Sequence, residues 1–382
     1  MMRVLVLCEY PSLNGGEHSL LEAARHIAPE QVSWLFAAPP AGPLAQRLQQ
    51  AGWLHEPLIC TDAMGRRTPR DTLRRRLAAL IRHYRPQVVH ANSVSMARLA
   101  GPVVRDLDQP SIGHLRDILR LSAGALHDLA AHRRLLAVSV ATRDWYRAQG
   151  GPGARIVVAY NGVDLERFAP RAPTGYLHTE LGLDRRVRLV GTIGQLGLRK
   201  GTDLYVAAAR QLAERDPAVH FLIVGQRYSR KDESRAYEQR LRAQAEDGVL
   251  RGRVHFLGVR TDVDRLLVEL TVYVHAARQE PLGRVLLEAA ATGLPVVATD
   301  VGGTREIFAG AQPSALLVPP DSSAQLAQGV ERILNEAALR HELGHAARRR
   351  AAAVFDVRQA ATRLVEHYVE IARGAPGRGD RT

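Results

Sequence analysis

Short runs of branched and aliphatic residues alternate along the chain with stretches whose apolar positions recur every three to four residues. In the first half the runs are VLVLC, SWLFAA, QVVHA, PSIGHL, LLAVSV and RIVVAY. Between them lie HSLLEAARHI, PLAQRLQQAG, an arginine-rich segment ending in RHYRP, VSMARLAGPVVRDL and ATRDWYRAQ, which read as helices. Apolar strands of this length, each followed by a helical pattern, predict a parallel sheet covered on both faces.

Regularity fades after YNGVDLERF, where APRAPTGYLHTELGLD is rich in Pro, Gly and polar residues and reads as a linker. A second alternating series follows. Its strands are RLVGTIG, VHFLIVG, RVHFLG, VYVHA, PVVATD and SALLVPP, with helices TDLYVAAARQLAER, ESRAYEQRLRAQAE and DVDRLLVEL among them. The chain of 382 residues is also longer than one hydrophobic core usually supports. The expectation is two Rossmann-like, doubly wound α/β domains, residues 1–170 and 171–355, facing across a cleft. Helices over 324–353 and 356–373 should close the chain, the last packing back on the first domain, with 374–382 a disordered tail.

Composition is that of an ordinary globular protein, 46% hydrophobic and 24% charged. The two cysteines, Cys8 and Cys60, form no CxxC pair, which argues against a disulfide framework and for a reducing, cytoplasmic setting. MMRVLVLCEYP leads straight into a turn and reads as a first strand rather than a leader. No apolar run approaches the roughly 18 to 20 residues of a membrane-spanning helix.

Charge adds more. The net charge is +13, of which residues 1–176 carry +8 through 22 arginines, no lysine and 14 acidic residues. In GRRTPRDTLRRRLAALIRHYRP, Leu73, Leu77, Leu80, Ile81 and Tyr84 make one helical face, ringed by Arg74, Arg75, Arg76, Arg82 and Arg85. Such a patch suits an anionic membrane surface, nucleic acid or an acidic substrate, and equally a plain solvated face. No nucleic-acid recognition motif or stacking series of aromatics accompanies it, so nucleic acid is set aside.

Two loops carry the candidate chemistry. In GTIGQLGLRKGTDL, residues 191–204, a strand enters a glycine-spaced loop with two cations, Arg199 and Lys200, before a helix near Thr202. Glycines allow close backbone approach to an anion, and the cations and helix start complement phosphate charge. The spacing is neither GxxxxGK[ST] nor GxGxxG, so nucleoside-triphosphate and dinucleotide readings lose support. In QEPLGRVLLEAAATG, residues 279–293, Glu280 precedes a helix start near Gly283 and Glu288 lies two turns inside it. Along a helix that separation is about 12 Å, wider than a glycosidase carboxylate pair. Two carboxylates on either side of an anion-binding helix start suit the hydroxyls that flank a diphosphate, as in a nucleotide sugar.

At this point the chain resembles the retaining GT-B glycosyltransferases of the family 4 type, over nearly its whole length. The resemblance rests on NGGEHSL, VVHANS, GHLRD, AVS, YNGVDLERF, GQLGLRKG, LIVGQ, VHFLG, EPLGRVLLEAAATGLPVVATDVGGTREI and the final helices. It implies that Arg199 and Lys200 grip the donor diphosphate, Glu288 the ribose hydroxyls and Glu280 the hydroxyls of the transferred sugar. It further implies that the N–H groups of Leu282 and Gly283 hold phosphate or sugar, and that the loop at Gly15 and Gly16 closes on the donor phosphate. Val259 and Arg260 would meet the base, and His114 the donor sugar near the reacting carbon. Where the family often has arginine directly after the strand's glycine, Gln195 stands here, and Arg199 is expected to take that role. The implied donor is a UDP- or GDP-type sugar, the reaction is retaining and independent of metal or other cofactor, and the partner is an acceptor hydroxyl. The basic first domain suggests a membrane-anchored or anionic acceptor, met at the inner membrane face.

Alternatives from other classes are a non-catalytic sugar-nucleotide-binding protein and another GT-B enzyme, an epimerase or phosphorylase. A remote one is a zinc protease, since residues 341–345 spell HELGH, with Glu366 downstream as a conceivable third ligand. Arg348, Arg349 and Arg350 beside it would oppose a dication, so the pentapeptide reads as ordinary helix. In the same way Glu306 of GGTREI reads as a helix cap and Asp164 of NGVD as a turn former.

Overall fold

The computed structural model describes residues 1–62 and 64–374. It divides into two compact units, Met1–Gly162 with the segment from Val357 onward, and Val163–Asp356. All strands of both sheets run parallel.

The first unit carries β1 (Met2–Leu7), β2 (Val32–Ala38), β3 (Leu54–Pro57), β4 (Val88–Ala91), β5 (Ser111–Leu115), β6 (Arg134–Ala137) and β7 (Ile156–Val158) in the order β3-β2-β1-β4-β5-β6-β7. The central strands β1, β4 and β5 are buried along their apolar residues, which is why their sequences lack a polar alternation. β3 was not among the expected strands. It is a four-residue edge strand paired with β2 alone, its Leu54 half exposed and its last residue Pro57, so it lacks the apolar run that marks a central strand.

The helix Val357–Ala372 belongs to this unit's core. Val357, Ala361, Leu364, Tyr368 and Ile371 form its buried stripe and pack with Val4, Val6, Leu20, Trp34 and Phe36. At the crossing Gly162 lies so close to Val357 that a Cβ would sit 2.4 Å from the Val357 Cα. Of the segment read as a tail, Gly374 ends a turn and 375–382 lie outside the described residues.

The second unit carries β8 (Arg188–Ile193), β9 (Val219–Val224), β10 (Val254–Gly258), β11 (Val272–His275), β12 (Val296–Thr299) and β13 (Leu316–Val318) in the order β10-β9-β8-β11-β12-β13. Its chain begins ahead of the Pro/Gly-rich stretch read as a linker. Arg348 donates to the carbonyls of Leu165 and Phe168, and Arg167 pairs with Asp264, so residues just after Val163 already pack on this unit. Inside the supposed linker Tyr176–Leu181 forms a short helix, with Glu269 accepting from the Thr174 and Gly175 amides at its start.

The expected helix over 324–353 is two helices, Ser323–Asn335 and Ala337–Val354, because Glu336 leaves helical geometry at φ −104°, ψ 90°. Neither Pro nor Gly marks the break. Arg340, six residues on, and Arg188, 146 residues back, take the freed carbonyl of Leu334, and the second bond is one that local sequence does not announce.

Candidate functional site

In each sheet the strand order reverses direction once beside the first strand, between β1 and β4 and between β8 and β11. The loops leaving such neighbours part to opposite faces, and ligands of open α/β sheets bind at the carboxyl ends there. Both candidate loops of the second unit leave this switch point: Gly194–Gly201 follows β8 and Ala276–Gly283 follows β11.

The two loops are joined at their centre by Lys200 and Glu280. The Lys200 ammonium pairs with Glu280 Oε2, and His275 Nε2 lies 3.0 Å from the same oxygen. Glu280 is 5% exposed. Burial would raise its carboxyl, but the Lys200 charge and the His275 hydrogen bond hold it well below the usual carboxylate range. A carboxylate only accepts, so His275 presents Nε2–H to it, and its Nδ1 lies 3.2 Å from the Tyr273 hydroxyl, which also has the Ile193 carbonyl as an acceptor at 3.3 Å. Burial pushes the His275 imidazole down, against the pull of Glu280, which keeps it neutral.

Backbone and side chains lock both loops. Arg278 donates to the Leu198 carbonyl at 2.9 Å, to both oxygens of Asp203 at 2.9 and 2.8 Å, and to Asp321 at 2.6 Å. Its own amide donates to the Arg199 carbonyl at 2.8 Å, and the Arg199 guanidinium reaches the Gln279 carbonyl at 3.3 Å. The Gly303 amide holds the Glu280 carbonyl at 3.0 Å, bringing in the GGT turn after β12. Gly201, at φ 65°, passes so near the second loop that a Cβ would lie 1.8 Å from the Ala276 carbonyl oxygen.

Pro281 and Leu282 lead into Gly283 at φ 103°, a conformation that favours glycine, and the helix Arg284–Thr292 begins directly after it. Its first-turn N–H groups precede the intrahelical ladder and face out along the axis. Leu282 is buried. Glu288 is buried on this helix with Arg284 Nε 2.7 Å from its Oε1. Glu280 and Glu288 thus stand on the two sides of the helix start, each beside a cation. Gly194, Gln195, Lys200 and His275 line a depression at the ends of β8 and β11.

Other residues singled out from sequence lie on other elements. Val259 is exposed after β10. Arg260 is clamped by Asp262 at 2.9 Å and Glu180 at 2.6 Å, and these partners raise its guanidinium above its ordinary value. In the first unit Gly15 and Gly16 open the helix Gly15–Arg25, whose Asn14 and Glu17 make a capping box. A Cβ on Gly15 would meet nothing within 4 Å, whereas one on Gly16 would lie 2.8 Å from Arg116 Cδ.

His114 is the next-to-last residue of β5, 5% exposed, its Nδ1 3.2 Å from His90 Nε2. Arg116, two residues on, donates to Asn92 at 3.0 Å and Asn161 at 2.8 Å; burial lowers its guanidinium to about 10 against the pull of Glu17. His341 and His345 of HELGH are exposed, their rings 4.1 Å apart. Among the described residues no group of three or more His, Cys, Asp or Glu side chains is placed to hold a metal ion.

Arg278, Asp203, His275, Arg116 and His90 were not singled out from sequence. His275 and His90 end or approach the end of apolar strands, and Arg116 shares GHLRD with His114, signals that could have drawn attention to them. For Arg278 and Asp203 the only clue is their place in the two ligand-type loops.

Comparisons with known proteins bear on the family and the fold. The Glycosyl transferases group 1 model matches residues 177–350 and the Glycosyltransferase Family 4 model residues 13–167. A glycogen synthase of Mycobacterium tuberculosis is 30% identical over 337 residues, 82% of this chain and 76% of the relative. A GDP-mannose-dependent alpha-mannosyltransferase of the same organism is 28% identical, covering 88% and 89%. A lipopolysaccharide core biosynthesis mannosyltransferase of Rhizobium meliloti is 31% identical over 216 residues, a match spanning 54% of this chain and 61% of that relative. In fold the chain is similar to Anabaena HepE in complex with UDP-glucose, with a TM-score of 0.84 at 23% identity over 97% of this chain and 100% of that one. Sucrose-phosphate synthase of Thermosynechococcus elongatus superposes with a TM-score of 0.78 at 20% identity, over 98% and 100%. Two parallel Rossmann-like sheets, the paired loops of the second and family matches in both halves lead to one assignment: the chain belongs to the group 1, family 4 glycosyltransferases of GT-B fold, which transfer sugar from a nucleotide sugar.

Proposed function

We propose that the chain transfers a hexose from a UDP- or GDP-sugar to an acceptor hydroxyl with retention at the anomeric carbon. The observation that carries this reading is the meeting of Lys200 and Glu280 at the carboxyl ends of β8 and β11, beside the start of Arg284–Thr292. There a cation and free helix N–H groups suit a diphosphate, and a buried carboxylate next to them suits sugar hydroxyls.

In this reading Lys200 and Arg199 bind the diphosphate, the Leu282 and Gly283 amides approach it, and Glu288 accepts from the ribose. Glu280, held ionised by Lys200, accepts from hydroxyls of the transferred sugar. Val259 and the backbone at Arg260 border the base, since the Arg260 side chain is engaged by Asp262 and Glu180. From the first unit, Gly15 and Gly16 approach the donor phosphate and His114 the donor sugar. The bond from the anomeric carbon to the diphosphate oxygen breaks while the acceptor oxygen bonds to that carbon on the same face. The acceptor's proton passes to the departing phosphate. No protein nucleophile enters; the residues supply orientation and charge stabilisation.

The names of two similar proteins, one working on GDP-mannose and one bound to UDP-glucose, support UDP and GDP as the bases to try first. The mannosyltransferase of lipopolysaccharide core biosynthesis supports a glycan or glycolipid acceptor, and the arginines of the first unit suit an anionic one. Among them, exposed Arg70, Arg75 and Arg82 lie on the helix Arg70–Tyr84, while Arg76 is paired with Glu56. No described helix is long and apolar enough to cross a membrane.

The test is a thermal-shift screen of wild type, Lys200→Ala and Glu288→Ala against UDP, GDP, ADP, TDP and their common sugar conjugates. A stabilisation by one nucleotide that both substitutions abolish is expected. Stabilisation by none of them would sink the donor site, and a wild-type shift untouched by either substitution would place it elsewhere.

A further inference from the structure

Three buried rings run in a line through the first unit. Tyr368, on the helix Val357–Ala372, has its hydroxyl 2.6 Å from His90 Nδ1. His90, on β4, has its Nε2 3.2 Å from His114 Nδ1, with the two imidazoles 5.4 Å apart and 19° from parallel. His114 Nε2, at the far end, is buried and has no partner among the described residues. Tyr368 and His90 are fully buried, so each hydrogen must go to an acceptor inside this line or remain unsatisfied.

That condition gives the line a direction. The only acceptor recorded for the Tyr368 hydroxyl hydrogen among the described residues is His90 Nδ1; in the reverse order both the phenol hydrogen and the His114 Nε2 lone pair would be buried without a partner, whereas in the forward order only the His114 Nε2–H is. The phenol therefore donates, and His90 carries its proton on Nε2. His90 in turn donates to His114 Nδ1, so the proton of His114 lies on Nε2. A second proton on either ring is opposed by burial and then by the Arg116 charge, which push both imidazoles far down, His90 to about 3.

We infer that Tyr368 and His90 are positioning residues that hold His114 as a neutral imidazole with its Nε2–H left to donate to a ligand oxygen, which the function proposed above makes a sugar oxygen. His114 then acts as a fixed donor and not as a base. The sugar as ligand rests on the function proposed above; the proton order does not. It also ties the helix that ends the described chain to a group on β5, through a hydroxyl that packing alone would not require.

The experiment is long-range ¹H–¹⁵N spectroscopy of the histidine rings in the full-length, ¹⁵N-histidine-labelled protein at pH 7, with His114 and His90 assigned by their loss in His114→Asn and His90→Asn. In wild type both rings are expected as the Nε2–H tautomer. Tyr368→Phe keeps the ring and removes the donor, and should turn His114 into a mixture of tautomers with the Nδ1–H form at about a third or more. Wild-type His114 protonated at Nδ1 would overturn the inference, as would a Tyr368→Phe spectrum in which His114 stays wholly Nε2–H. If Tyr368→Phe does not fold, the wild-type tautomers alone decide the proton order. Failure of every nucleotide to bind in the thermal-shift screen would count against the donor site, while the tautomers would still be read from the same spectra.

Discussion

Lys200, partly exposed, and Glu280, buried, form an ion pair between side chains 80 residues apart, where the loops after β8 and β11 meet. Lys200→Ala would strand the Glu280 carboxylate in a buried site, at a cost of about 3–5 kcal/mol. Turnover of the nucleotide sugar should fall by about 100-fold or more, the scale of losing one charge-stabilising donor. The double variant Lys200→Ala, Glu280→Ala separates the effects. Urea denaturation should show most of the stability restored, with turnover no better than in the single variant. Recovery of turnover along with stability would mean that Lys200 only neutralises Glu280.

Arg278 is the latch between the same loops, and its four hydrogen bonds need the forked guanidinium geometry. Arg278→Lys keeps the charge but can serve one or two of those partners. The expected result is a folded protein, less stable by about 1–3 kcal/mol, that binds nucleoside diphosphate about tenfold more weakly. Titration calorimetry against UDP and GDP measures this. Unchanged affinity with lowered stability would show that the latch holds the fold and not the phosphate loop.

Much of this architecture was readable along the chain, for identifiable reasons. Strands β1, β4, β8, β9 and β11 are buried on both faces, and burial on both faces demands the unbroken Val, Ile and Leu runs that marked them. Edge strand β3 carries no such demand, and the break at Glu336 is held in part by Arg188, 146 residues before Leu334, so neither left a clear local trace. In the candidate site, GLRKG and QEPLG stood out as ligand-type loops through glycine, charge and helix starts. That Lys200 would be spanned by Glu280, or Asp203 by Arg278 across 75 residues, depends on β8 and β11 being neighbours. No local pattern encodes that adjacency.

Two glycines provide a contrast in backbone demand. At Gly201 a methyl group would meet the Ala276 carbonyl oxygen at 1.8 Å, on a backbone at φ 65° that side chains resist. Gly201→Ala should force the two loops apart, lowering Tm by several degrees and nucleotide affinity by about tenfold or more. Gly15 has open space around its ideal Cβ and no such φ, so Gly15→Ala should leave Tm within about a degree and favour the helix start slightly. Differential scanning fluorimetry of both variants checks the pair. A Gly201→Ala protein as stable as wild type would mean that the loops can separate freely.

Buried neutral histidines set an acid limit. Burial pushes His90 down to about 3 and His132 to about 4, from 6.5 in the unfolded chain. Between those values and 6.5 the unfolded state binds more protons, so stability rises with pH across that window and is fully present above about 6.5. Each unit of depression corresponds to about 1.4 kcal/mol, so the two groups together should remove several kcal/mol between pH 7.5 and 5. Glu17 works the other way: burial raises its carboxyl, which favours the folded state as pH falls toward its unfolded value of 4.5, but it is a single group set against two. The expected outcome is a Tm lower by about 5 °C or more at pH 5 than at pH 7.5, at constant ionic strength. Neutral His132 donates Nε2–H to the Ala97 carbonyl and accepts from the Ser111 hydroxyl at Nδ1, and His132→Gln can keep hydrogen bonds there without a titrating ring. That variant should lose less Tm on acidification than wild type even if it starts lower. A wild-type Tm that is flat or rises from pH 7.5 to 5 would show that these histidines are hydrated or already protonated in the fold.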